Sequence, residues 1–205
     1  MTSEFMSDPA PVSPSRPQFG LSALLGCFVA IGMALAYLTR FDSILVFQNG
    51  LIVLILALLL GGSVGSVIKR RGDAIFWSVI VSAAAYLSVV GETHFGIAFH
   101  FAWSAVGAMA GVAAAAIPAR QLVARMIAAC LGGSAAMFIY FAFYSQRIGL
   151  QFDLVAATIV SALVGLLVEI IMWIECRSQI PRYVTASWLL CAVIIGNLMV
   201  PLAIS

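Results

Sequence analysis

Charge is what this chain has least of: Asp, Glu, Lys and Arg together supply 9% of its 205 residues, while hydrophobic residues supply 63%. Soluble globular domains carry about 25% charged residues, which keep their surfaces in water. A water-soluble fold is therefore excluded, and a mean hydropathy of +1.13 points the same way. Histidine occurs twice and cysteine four times, with no CxxC pair, no HExxH and no Cys/His array. These absences argue against a metal centre and against a redox-active dithiol. No cysteine falls in an expected outer loop, where a disulfide would form and persist. Cys27, Cys130 and Cys191 sit in apolar runs and read as small buried side chains. Cys176, at a helix end, is at most a site of S-acylation.

Catalytic frames are missing too. There is no P-loop, no dinucleotide fingerprint, no G-x-S-x-G frame and no paired-Asp motif for phosphoryl transfer. Blocks of like charge, the usual footprint of a nucleic-acid partner, do not occur. The composition implies no cofactor, no metal and no nucleic acid. The partner it does imply is the lipid bilayer, with a second copy of the chain or another membrane protein as further candidates.

What the chain has instead is seven apolar runs, at 20–39, 50–68, 74–91, 96–117, 126–145, 154–174 and 184–204. Each falls within the roughly 17 to 25 residues that cross the hydrocarbon as a helix. A strand barrel alternates polar and apolar residues, whereas Leu51 to Leu60 is apolar on every side. The expected fold is an all-α, polytopic transmembrane bundle of seven spans, forming one domain over 20–205. The first 19 residues, with four prolines and several serines, lack the apolar surface to pack and read as a disordered cytoplasmic tail. Arg16, the apolar stretch from Gly20 to Met33 and the A-x-A at Ala34 to Ala36 resemble a secretory signal. The run continues to Leu38 and is long enough to span, so a retained first span is preferred; cleavage would leave six.

Orientation follows from basic residues, which are retained on the cytoplasmic side of short loops. Arg16, Lys69, Arg70, Arg71, Arg120, Arg125, Arg177 and Arg182 fall in alternate gaps, and the opposite gaps hold only Arg40 and Arg147. This places the N-terminus in the cytoplasm and the C-terminus outside, as expected for a multi-pass protein of the plasma or inner membrane. Trp77, Trp173 and Trp188 fall near the expected cytoplasmic ends, where an indole buries its ring and keeps its N–H near water.

Small residues recur every four positions: Gly61 and Gly65, Ser78 and Ser82, Gly107 and Gly111, Ala129 and Gly133, Ser161 and Gly165. That spacing lines one helix face, and small faces let helices approach closely in lipid. Packing within a single bundle is the preferred reading over self-association.

One ionisable residue lies well inside a run: Glu169, on the same face as Ser161 and Gly165. Its expected depth is about 7 Å below the nearer interface, from the rise per residue of a helix. Side chains tilt toward the N-terminus of their helix, so Glu169 is expected to lean toward the membrane centre. A carboxyl there must be neutral or paired, and Arg125, which begins the preceding helix on the same side, is the expected partner. Glu169, Arg125 and Ser161 are thus the candidate pathway residues. A second polar group, Glu92, His94, His100 and Asn197, gathers on the expected outer side. The two histidines stand six apart, about 120° off one another on a helix, so interfacial hydrogen bonding is preferred to a metal site.

No activity follows from these residues directly. Small-solute or ion transport, with Glu169 as a buried coupling carboxyl, stands slightly ahead of a non-catalytic structural or assembly subunit. An intramembrane enzyme needs two converging polar groups at depth and comes last.

Overall fold

The computed structural model describes residues 21–41, 44–91, 96–118, 120–144, 150–178 and 180–204. The tail at 1–19 lies outside the described residues. Seven α-helices follow in order: α1 Leu21–Leu38, α2 Ile44–Val67, α3 Arg71–Val89, α4 Ile97–Ala116, α5 Leu122–Tyr144, α6 Leu150–Ser178 and α7 Arg182–Ile204. A 3-10 turn at Thr39–Phe41 follows α1, and no strand occurs among the described residues. Among the described residues five helices are long and apolar enough to cross a membrane: Ile44–Val67, Arg71–Val89, Ile97–Ala116, Leu122–Phe143 and Asp153–Arg177. In α1 and α7 the apolar stretches described are shorter, Phe28–Leu38 and Val184–Met199. The protein is an all-helical membrane protein.

Helices joined by short connections pack on one another, α2 on α3, α3 on α4, α4 on α5 and α5 on α6. The α1 helix packs on α7, and α7 returns the chain to α3. The α4 helix is rich in Ala and Gly and has no leucine, so it can lie among neighbours on several sides; it touches α2 and α6 as well. Glycine sets how closely the backbones meet. A β-carbon at Gly61 would lie 2.7 Å from the Ile75 Cα, one at Gly107 2.7 Å from the Val81 carbonyl oxygen, and one at Gly165 2.8 Å from the Met126 Cα. Backbone atoms cannot step aside, so only glycine permits these distances. Gly65 meets α3 at Arg71 and Ala74, and Gly133 faces Ser161 of α6 and Val106 of α4.

Polar bonds stitch the same interfaces. The buried hydroxyls of Ser78 and Ser82 donate outward from α3, to the Ala57 carbonyl at 2.8 Å and the Ser104 carbonyl at 3.0 Å. Tyr86 donates to the Val46 carbonyl at 2.6 Å, linking α3 to the start of α2. Large aliphatics such as Leu51, Ile55, Leu58 and Leu59 of α2 face outward, which costs nothing where the surroundings are lipid tails.

One expectation changes. Trp77 is 1% exposed and sits in a core cluster with Val81, Ala110, Ala114 and Val168, so it anchors the bundle interior rather than the lipid interface. Trp173 and Trp188 remain on the surface. The reason is azimuth: Trp77 shares the α3 face that meets the Gly111 backbone, where a β-carbon would lie 2.5 Å from the Trp77 carbonyl.

Candidate functional site

The α2–α3, α4–α5 and α6–α7 turns lie at one end of the bundle, here called the basic rim, and proline shapes its centre. Pro118 holds the preceding residue out of the helical region, and Ile117 is extended at φ −83° and ψ 134°. The α4 helix therefore stops, and the Ile117 carbonyl is left without an intrahelical donor. Two guanidinium groups take it: Arg125 Nη2 donates at 2.8 Å and Arg70 Nη1 at 3.2 Å. Cations near a helix C-terminus also meet the negative end of its dipole.

Arg125 belongs to the first turn of α5 and is 0% exposed. The close approach at Gly165 brings α6 beside it, and Arg125 Nη1 stands 3.0 Å from Glu169 Oε2 and 2.8 Å from Met172 Sδ. The other carboxylate oxygen, Oε1, accepts the Arg120 backbone N–H at 2.9 Å. Arg120 takes a left-handed backbone, φ 69°. The site therefore joins the α4 end, the α4–α5 turn, the start of α5 and α6, with Arg70 reaching it from the α2–α3 turn.

Glu169 does not lean toward the membrane centre. Gly165 is level with Arg125 and Met126 on α5, so one turn further on Glu169 is level with the α4–α5 turn. Its carboxylate bonds to the rim, with 15% of the side chain exposed. Ser161, eight residues back, is about 12 Å away along the helix. It is fully buried over Gly133 and separate from the ion pair. Arg125 and Glu169 are thus brought together and Ser161 is not.

A second ionic group on the same rim has no counterpart among the expected site residues. Arg182, opening α7, pairs with Asp73 of α3, and its Nε stands 3.4 Å from Glu175 Oε2. Glu175 also accepts from the Thr185 hydroxyl at 2.9 Å. Burial alone lowers the Arg182 pKa, but the hydrogen bond and charge of Asp73, with the charge of Glu175, outweigh it and raise the value. Asp73 and Arg182 are 109 residues apart, so no local spacing announces them.

Of the second expected polar group, Glu92 and His94 lie outside the described residues. His100 is half-buried, its ring edge-on to Tyr86 at 6.4 Å between centroids. Asn197 donates to the Leu87 carbonyl at 2.8 Å and so ties α7 to α3. His100 and Asn197 thus flank neighbouring residues of α3. Among the described residues no three His, Cys, Asp or Glu gather to hold a metal ion. Cys130, Cys176 and Cys191 are free thiols. An apolar cavity of about 280 Å³ between α1, α2 and α3 is lined by residues such as Ala34, Leu51, Val79 and Tyr86, and Glu169 is not among them.

No family model, no curated protein and no solved structure matches the chain.

Proposed function

We propose that the chain is a seven-span protein of the cell membrane, N-terminus cytoplasmic and C-terminus outside, that serves as a non-catalytic structural or assembly subunit. In this reading Arg125 and Glu169 form a clasp that holds the α4–α5 turn against α6. The observation that carries it is the pairing of the Glu169 carboxylate with the Arg125 guanidinium at 3.0 Å while its Oε1 accepts the Arg120 N–H. A coupling carboxyl must exchange partners or protons during a cycle, and this one is held between the Arg125 guanidinium and the Arg120 backbone N–H. The packing of α1 along α7, with the Cys191 thiol 3.8 Å from the Met33 sulfur, supports a retained first helix. The basic rim supports the orientation.

Ion or solute transport with Glu169 as the coupling group is the second reading. The 15% exposure of its side chain beside the rim favours it. The double variant Arg125→Met/Glu169→Leu separates the two, because replacing a buried ion pair by apolar residues is often neutral for stability. If the variant accumulates normally and complements a strain deleted for the gene, the clasp reading stands. Normal accumulation without complementation would show that the charges are needed for more than folding and move the assignment to transport.

A further inference from the structure

We infer that the turns carrying Lys69, Arg71 and Arg120 form a binding surface for anionic phospholipid headgroups. The inference goes beyond the clasp reading and needs only that the helices lie in a membrane. The described acids of the rim are already engaged: Asp73 and Glu175 with Arg182, and Glu169 with Arg125. Lys69, Arg71 and Arg120 are exposed, and none of the three forms an ion pair among the described residues.

They lie on one patch. The Arg70 guanidinium stands 3.2 Å from the Ile117 carbonyl and so fastens the two turns together. Lys69 and Arg71 flank Arg70, and Arg120, three residues past Ile117, is within about 10 Å of it by chain length. Backbone conformation marks the same residues. Among the described non-glycine residues, Lys69 at φ 57° and Arg120 at φ 69° are the ones with positive φ. Lys69 fills the left-handed position of a helix C-cap, with the Arg70 N–H bonded to the Gly65 carbonyl at 3.0 Å, a position that glycine usually takes. A cation stands where glycine would be unstrained.

The surroundings favour a lipid over a free anion or an acidic protein. Val67, 82% exposed, lies two residues before Lys69, and Val123, 68% exposed, lies three after Arg120. Cations within one helical turn of exposed aliphatic side chains match a phosphate above an acyl chain. Each cation near such a surface contributes about fivefold to binding of anionic lipid.

The test uses the full-length chain in detergent with equal phosphatidylglycerol and phosphatidylcholine, read by native mass spectrometry for the lipid that stays bound. Phosphatidylglycerol should be retained in excess. Lys69→Gln and Arg120→Gln should each lower the ratio about fivefold, and Lys69→Gln/Arg71→Gln/Arg120→Gln more than tenfold, at unchanged helicity by circular dichroism. Arg40→Gln, at the other end of the bundle, should leave the ratio as it is. No preference in the unaltered chain, or full preference in the triple variant, overturns the proposal. So does displacement of phosphatidylglycerol by an equal concentration of inorganic phosphate, which would make the site one for free phosphate. If the triple variant does not fold, the two single variants decide the matter alone.

Discussion

Among the described residues Arg125 is the charged side chain that is fully buried: it is 0% exposed, with its guanidinium shared between a carboxylate, a backbone carbonyl and a thioether. Burying a cation costs several kcal/mol, and the cost is offset only while the partners are in place. Arg125→Ala should therefore destabilise the protein by about 3 kcal/mol, read as thermal unfolding in detergent, since it strands Glu169 and leaves the Ile117 carbonyl with Arg70 as its remaining donor. Arg125→Lys should recover only part of this, because one ammonium cannot span the carboxylate and the carbonyl as a planar fork does. An Arg125→Ala protein as stable as the unaltered chain would mean that the pair contributes nothing. Glu169 was legible in the sequence as the lone acid within an apolar run, and Arg125 as a basic residue at the start of the adjacent helix on the same side. The Ile117 carbonyl was not, because its availability depends on where Pro118 ends a helix and where Arg70 arrives from another turn.

Between helices, glycine has different consequences according to what it faces. Gly111 of α4 meets the Trp77 carbonyl, where a β-carbon would lie at 2.5 Å, whereas nothing stands within 4 Å of Gly196 on α7. Gly111→Ala should cost about 1–3 kcal/mol through overpacking. Gly196→Ala should stabilise by about 0.4–1 kcal/mol, since alanine loses less backbone freedom in a helix that has room for it. Unfolding of both variants in the same detergent checks the opposite signs, and equal effects would contradict the close approach of α4 to α3. The four-residue spacing of small side chains was readable as a packing face. The helix opposite each face was not, because small faces are alike and the choice depends on loop length and helix offset.

For the whole molecule, the proposed orientation has a direct test. In a Cys176→Ser background, Lys69→Cys and Arg120→Cys should react with a membrane-impermeant maleimide only after permeabilisation, and Arg40→Cys in intact cells. The reverse pattern would invert the topology. The amino-acid sequence by itself determined that the chain is helical and lies in a membrane, where its apolar runs fall, and that its charge is concentrated at one end. These are properties of composition and order along the chain, added residue by residue. Only the tertiary structure decided that α1 pairs with α7, that Trp77 lies in the core, and that Glu169 reaches the α4–α5 turn rather than the membrane centre. The physical reason is the solvent. In lipid an outward leucine is as well placed as a buried one, so apolar periodicity does not mark which face of a helix meets protein. That information resides in small residues and scattered polar groups, whose partners become definite only when the helices are set beside one another.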